Sequence, residues 1–175
     1  MSQVHRLWHN YHWGKLPDYE NAKSINRKLN SASKNWAGAK VFRRYPDLKG
    51  QIASHLDVAL GNAEIDYLTV EVNETDFRVG ILAFAGLRIV WLTTSEETCV
   101  PSTSILSTRH IESIELVNVS NVMTSTWGES DALNLEVEIG GTTFSLPADS
   151  GATESNVAQL KSYLPALMEH LAPVA

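Results

Sequence analysis

Residues 79–92 read VGILAFAGLRIVWL, two short apolar runs that are broken at Ala85-Gly86. Each run is too short for a stable helix, and both are rich in residues that suit a pleated, half-buried surface. The stretch therefore predicts a pair of antiparallel strands at the centre of a sheet.

Alternation of apolar and polar residues continues on both sides of this stretch. Leu68, Val70 and Val72 alternate with polar residues before it, and residues 111–119 supply another strand after it. The clearest alternation is LNLEVEI at 133–139, and Gly140-Gly141 then predicts a two-residue hairpin turn leading into residues 142–146. A weaker strand is expected near Cys99-Val100, and residues 102–108 and 121–131 are predicted to be loops or irregular edges.

Helical spacing dominates the two ends of the chain. The first predicted helix enters at residues 16–18, is broken at Gly38, and has a stripe made of Ala22, Ile25, Leu29, Ala32 and Trp36. A second helix is predicted from Pro46-Asp47 to Gly61, where glycine suits a left-handed end. A closing helix is predicted over residues 153–171 despite Pro165 within it.

These patterns predict an α+β fold that is mainly β: a bent antiparallel sheet or barrel of about seven strands, capped by a C-terminal helix and preceded by an N-terminal helical segment. Two parts are expected, a basic, aromatic-containing helical arm at 1–44 and a β-domain at 45–175. The expected core comprises Leu68, Val70, Ile81, Ile89, Trp91, Ile114, Leu135, Val137, Phe144, Leu160 and Leu164.

The chain also resembles the bacterial pleckstrin-homology-like (PH-like) domains of small cytoplasmic proteins. The resemblance covers residues 45–171 and lies in the helix from Tyr45, the glycine-led run at 80–84, the arginine-containing run at 87–91, residues 111–114, the Gly-Gly hairpin and the closing helix. It implies a strongly bent antiparallel sheet with the last helix plugging one open end.

Composition sets bounds on compartment and class. A chain of 175 residues suits one domain with some added structure, and no apolar stretch approaches the ~20 residues of a membrane span. Cys99 is the single cysteine, so no internal disulfide forms, and the N-terminus has no signal-peptide core. We therefore expect a cytoplasmic protein.

Charge is distributed unevenly along the chain. Residues 1–60 carry ten basic and four acidic residues, a net charge of +6, whereas residues 61–175 carry a net charge of −12. The favoured interpretation is a basic arm that rests on its own acidic domain or on a neighbouring copy. The alternative is an arm that binds nucleic acid or another anionic surface.

Candidate binding residues lie in this N-terminal third. Lys40, Arg43 and Arg44, interleaved with Phe42 and Tyr45, are the candidate anion site, because basic and aromatic side chains together bind phosphates and stacked bases. Trp8, Trp13 and Trp36 are candidates for packing or for contact with a partner, since large apolar groups need a surface to cover them.

Other polar clusters are interpreted as structural. His5, His9 and His12 would share one face of a helix, but no carboxylate or thiol accompanies them, so surface histidines are expected rather than a metal site. Glu136 and Glu138 are expected on a solvated sheet face. Catalytic and cofactor motifs are missing from the sequence, which favours a non-catalytic protein without a cofactor.

The turn at residues 73–78 argues against a phosphoinositide ligand. Arg78 is its one cation, and Glu74 and Asp76 would repel a phosphorylated head group. The expected function is a non-catalytic cytoplasmic interaction or scaffolding module that binds protein or self-associates. The alternative is a binder of phosphate or of an anionic surface, nucleic acid or membrane, through the basic N-terminal segment.

Overall fold

The structure is a computed structural model that describes residues 19–94, 100–119, 132–148 and 151–171. The predictions that concern His5, His9, His12, Trp8, Trp13, Cys99 and the loop at 121–131 fall outside these residues. The described helices are α1 (Tyr19–Ala32), α2 (Lys40–Arg44), α3 (Leu48–Leu60) and α4 (Glu154–Glu169).

Within the described residues, seven strands form two antiparallel sheets. The first sheet contains, in spatial order, β1 (Tyr67–Asn73), β2 (Arg78–Ala85), β3 (Arg88–Thr93) and β4 (Ser102–Ser107). The second contains β5 (Ile111–Val119), β6 (Leu133–Ile139) and β7 (Thr142–Leu146). The predicted α+β class, the strand number and the closing helix are confirmed. The sheets do not close into a barrel, because within the described chain β4 and β5 are edge strands of separate sheets.

The first sheet is covered on both faces. Leu68, Ile81 and Val90 face α1, α2 and α3 in one apolar cluster, whereas Tyr67, Phe84 and Ile89 face the second sheet and α4 in another. Since successive strand residues point to opposite faces, covering both faces requires apolar residues at nearly every position. The run at 79–92 is apolar at nearly every position for that reason, with Arg88 as the one charged residue.

Helix α4 is fastened to the first sheet by one buried amide. Asn156 donates from Nδ2 to the Leu68 carbonyl at 2.7 Å, and its Oδ1 accepts from the Tyr67 hydroxyl at 3.2 Å. The Thr153 side chain caps the helix by accepting from the Asn156 backbone N–H at 3.1 Å. Leu160, Tyr163 and Leu167 then fill the end of the space between the sheets.

Two local predictions from the sequence are wrong. Helix α1 ends at Ala32 rather than continuing to Gly38, because the Lys34 N–H donates to the Gly151 carbonyl and Ser33 forms a β-bridge with Ala152. The segment 102–107, predicted to be a loop or an irregular edge, is the regularly paired edge strand β4. Its sequence, STSILS, shows no alternation of apolar and polar residues, so the pattern does not indicate a strand. The segment is a strand because it pairs with β3.

Most of the predicted core is buried. Leu68, Val70, Ile81, Ile89, Leu135, Val137 and Leu160 are buried, whereas Trp91, Ile114, Phe144 and Leu164 are half-buried. The predicted hairpin turn is also confirmed, with φ of 56° at Gly140 and 75° at Gly141, a conformation that glycine adopts without strain.

Two buried tyrosines predict a loss of stability at alkaline pH. Burial raises the pKa of both Tyr67 and Tyr163 above the usual value, and the nearby Asp66 carboxylate raises the pKa of Tyr163 further. An unfolded chain ionises its tyrosines near pH ~10, whereas the folded chain keeps these two protonated. Their contribution is therefore fully present below that pH, and the free energy of unfolding is expected to fall above it, by up to about 1.4 kcal/mol per pH unit for each tyrosine.

The Tyr163→Phe variant isolates one of these groups. The Tyr163 hydroxyl is buried and finds no hydrogen-bond partner among the described residues, so its removal is expected to leave stability at pH 7 unchanged or slightly higher. In urea titrations between pH 7 and 11, the free energy of unfolding of this variant should fall by about half as much as that of the unmodified chain. If the variant lost as much free energy of unfolding at alkaline pH as the unmodified chain, the assignment of part of this loss to Tyr163 would be contradicted.

None of the described helices is both long and apolar enough to cross a membrane.

Candidate interaction site

An apolar groove runs between helix α3 and the edge strand β4, and we call it the α3–β4 groove. Its volume is about 690 Å³. Its lining residues are Gly50, Gln51, Ser54, His55, Val58, Ala59, Thr103 and Ile105.

The register of the first sheet explains why Ile105 lies in this groove. Ile105 is paired with Val90, so its side chain lies on the face that the helices cover. Because β4 is the edge strand, α3 covers Val90 fully but leaves Ile105 56% exposed. An aliphatic side chain that belongs to the core face of the sheet therefore remains accessible.

The opposite wall of the groove comes from the outer side of α3. Leu48, Ile52 and Leu56 of this helix are buried against the sheet. Gly50, Ser54 and Val58 follow one another at four-residue spacing on another side, and Val58 is 51% exposed. A side chain built at Gly50 would meet no atom within 4 Å, so the glycine leaves the groove open at this end.

A polar contact fixes the distance between the two walls. The Nδ1 atom of His55 lies 3.2 Å from the Thr103 hydroxyl, at hydrogen-bond distance. This contact ties the middle of α3 to β4, and both of its residues line the groove together with Val58 and Ile105. The distance between the two walls is therefore fixed before any ligand binds.

A second groove, between α1 and α3, adjoins the first. It measures about 480 Å³ and is lined by Tyr19, Ala22, Lys23, Asn26, Lys49, Gly50, Ala53 and Ser54. Gly50 and Ser54 line both grooves, so the two form one surface across α3. Tyr19, the first described residue, lies at the α1 end of this surface and is 76% exposed.

The predicted anion site is a short helix beside an acidic turn. Lys40, Arg43 and Arg44 all lie on α2 and are exposed. The Lys40 backbone N–H donates to the Glu74 carboxylate at 3.1 and 3.2 Å, and the Arg44 guanidinium lies over the rings of Tyr45 and Phe77. The carboxylate beside α2 reduces the positive potential that an anion would meet.

Trp36 has a structural position. It is 1% exposed, its ring packs edge-on against Phe42 with centroids 4.7 Å apart, and its Nε1 donates to the Asn26 side chain at 2.9 Å. Lys49 covers the pair, with Nζ 4.7 Å from the Phe42 ring centre, and burial lowers the pKa of Lys49. The predicted packing role fits this residue, and its position in the core leaves no surface for a partner.

Sequence reasoning did not identify the α3–β4 groove. The available signal was the spacing of Gly50, Ser54 and Val58, which places a small-residue stripe beside the buried stripe of α3. No signal in the sequence pointed to Ile105, because its segment was predicted to be a loop or an irregular edge. Among the described residues no group of three His, Cys, Asp or Glu side chains is arranged to hold a metal ion.

Comparisons of the chain with protein-family models, with curated proteins and with solved structures found no match.

Proposed function

We propose that this chain is a non-catalytic cytoplasmic interaction module that binds an apolar protein segment in the α3–β4 groove. The observation that carries the proposal is the position of Val58 and Ile105. Single exposed aliphatic residues are common on protein surfaces, but here two of them, both more than half exposed, line the same groove. Filling that groove would remove both from water.

The occupant that we propose is the chain's own segment 1–18. This segment contains Leu7, Trp8, Tyr11 and Trp13, four large side chains that need an apolar surface. It joins the described chain at Tyr19, which lines the adjoining groove. Eighteen residues reach up to about 60 Å when extended, which is more than the surface requires. Burial of two tryptophans stabilises docking by several kcal/mol at ~25 cal/mol per Å², before ordering costs.

We also propose that the β-domain is PH-like. The order of elements supports this relation: four antiparallel strands, then three, then a helix that packs into one end between the sheets. A module of this kind would present its groove on the side that α1–α3 cover, away from the space between the sheets.

Introduction of positive charge into the groove tests the function. In the double variant Val58→Lys/Ile105→Lys, two ammonium groups replace the exposed aliphatic side chains, and docking of segment 1–18 is expected to be lost. The readout is hydroxyl-radical footprinting followed by trypsin, since cleavage after Arg6 and Lys15 releases both Trp8 and Trp13 in one peptide, residues 7–15. Oxidation of this peptide is expected to be low in the unmodified chain and to rise several-fold in the double variant.

The Leu87→Lys variant is the matched control, because Leu87 is an exposed aliphatic residue in the β2–β3 turn, outside the groove. It should leave the oxidation of peptide 7–15 unchanged. Equal oxidation in the unmodified chain and in the chain unfolded by urea would overturn the proposal. Light scattering on the same samples assigns the docked segment to its own chain if the mass is that of a monomer, and to a second copy if it is that of a dimer.

The alternative function is the binding of an anionic surface through Lys40, Arg43 and Arg44. Their common exposure on α2 supports it, and the adjacent Glu74 carboxylate weakens it. Salt separates the two functions, because binding to phosphates weakens steeply as salt rises whereas apolar docking does not.

A further inference from the structure

A cleft of about 410 Å³ lies between the inner face of the first sheet and strand β7, and we call it the inter-sheet cleft. It is separate from the α3–β4 groove, which lies on the opposite face of the first sheet. Its lining residues are Thr69, Glu71, Arg78, Gly80, Ile81, Leu82, Trp91, Thr93, Thr142, Thr143, Phe144, Ser145 and Ala148.

The register of the sheet changes the character of its inner face along the strands. Tyr67, Phe84 and Ile89 are paired across β1–β3 in an apolar row that packs under α4. Two residues further along, the paired row is Thr69, Leu82 and Trp91. The row after that is Glu71, Gly80 and Thr93. The inner face therefore becomes polar with distance from α4.

Gly80 makes a hollow in the middle of the polar row. It lacks a side chain between Glu71 on one neighbouring strand and Thr93 on the other. A Cβ built at Gly80 would lie 3.6 Å from Oε2 of Glu71, so the carboxylate borders the hollow directly. The hollow is thus one side chain wide, with a negative group on one wall and a hydroxyl on the other.

The Glu71 carboxylate has no cationic partner within the described ranges. Arg78 lies on the same face of the sheet and also lines the cleft, but its Nη2 is 3.9 Å from the Asp76 carboxylate, and it forms no ion pair with Glu71. The internal segments outside those ranges contain no lysine or arginine. A half-buried carboxylate that lacks a cation favours a ligand that brings one.

The other walls of the cleft suit the body of such a ligand. Leu82 and the half-buried indole of Trp91 form an apolar wall, and Trp91 is held edge-on by Phe144 with ring centroids 5.1 Å apart. Aromatic faces attract ammonium groups as well as alkyl chains. Hydroxyls of Thr93 and Thr142 add acceptors, whereas the Thr69 hydroxyl already accepts from the Ala148 N–H.

We propose that the inter-sheet cleft binds a primary alkylammonium group, carried by a free alkylamine or by a lysine side chain. The ammonium occupies the hollow at Gly80 and donates to the Glu71 carboxylate and the Thr93 hydroxyl, and the alkyl chain lies against Leu82 and Trp91. The net charge of −6 on the chain draws cations toward this site.

Titration of the full chain with three probes tests the site. The probes are 1,5-diaminopentane, Nα-acetyl-lysine methylamide and, as an uncharged analogue, 1-pentanol, and binding is followed by ¹H–¹⁵N spectra. Saturable shifts at Gly80, Thr93 and the Trp91 indole are expected with at least one of the two amines and not with 1-pentanol. Tighter binding of the diamine indicates a free amine as the ligand, and tighter binding of the lysine derivative indicates a peptide.

Two variants define the contacts. Glu71→Gln is expected to weaken amine binding about tenfold or more, because a charge-assisted hydrogen bond is lost, whereas the exposed and distant Glu64→Gln leaves it unchanged. Gly80→Ala should fold normally, since its Cβ makes an ordinary contact, and should weaken binding by filling the hollow. Absence of saturable amine binding at millimolar concentration, or binding that neither variant weakens, would overturn the proposal.

Discussion

Replacement of Trp36 by alanine is expected to lower the free energy of unfolding by about 3–5 kcal/mol. The indole is almost fully buried, and its removal leaves a cavity beside Phe42 and an unpaired Asn26 side chain. The cavity would lie between α1 and α3, whose contact covers one face of the first sheet. Stability of domains of this size is typically about 5–15 kcal/mol, so the loss is a large share of the total.

Urea titration followed by far-UV circular dichroism measures this loss. The Tyr19→Ala variant is the control, because Tyr19 is an exposed aromatic residue at the start of the same helical region. It should change the free energy of unfolding by less than about 0.5 kcal/mol. A Trp36→Ala variant that unfolds at the same urea concentration as the unmodified chain would show that residues 19–44 are not part of the cooperative fold.

The second large effect is expected at the buried amide of α4. The Asn156→Ala variant removes the amide that bonds both the Leu68 carbonyl and the Tyr67 hydroxyl, and each of these groups lies in the interior. Because an unsatisfied buried polar group costs about 1–3 kcal/mol, a total loss of about 2–4 kcal/mol is expected. Asn156→Asp should destabilise as well, since a carboxylate accepts from Tyr67 but cannot donate to Leu68.

Asn134→Ala is the matched control, because Asn134 is an exposed asparagine on β6. It should leave the urea midpoint nearly unchanged. Hydrogen exchange adds a second measurement: in Asn156→Ala the amides of α4 are expected to exchange faster relative to those of β2 than in the unmodified chain. Equal stability of Asn156→Ala and Asn134→Ala would mean that packing of Leu160 and Leu167, and not the amide, fastens α4.

The parts of the fold that the sequence predicted are those with a strong local pattern. Residues 133–146 alternate and contain two glycines at the turn, so the β6–β7 hairpin followed from local rules. The run at 79–92 predicted a pair of strands on a half-buried surface. It did not show that two different layers cover the two faces of the sheet, because a nearly all-apolar strand gives no information about what lies on each side.

The parts that were missed depend on contacts between distant residues. Helix α1 ends where the chain near residue 151 pairs with it. The segment of β4 is a strand because it pairs with β3. Trp36 continues the helical stripe in sequence, yet it packs from a turn. The candidate sites also depend on distant residues, because Ile105 and Val58 line one groove only in the tertiary structure. The hollow at Gly80 follows from the pairing of that residue with Glu71 and Thr93.

The central claim is that segment 1–18 occupies the α3–β4 groove. A photoreactive benzoyl-phenylalanine placed at position 58 tests it most directly, since tryptic mass spectrometry identifies the peptide to which it becomes linked. We expect linkage to peptide 7–15, and no linkage to this peptide from the same group placed at position 87. Linkage from position 58 to other peptides alone, with peptide 7–15 unlabelled, would contradict it.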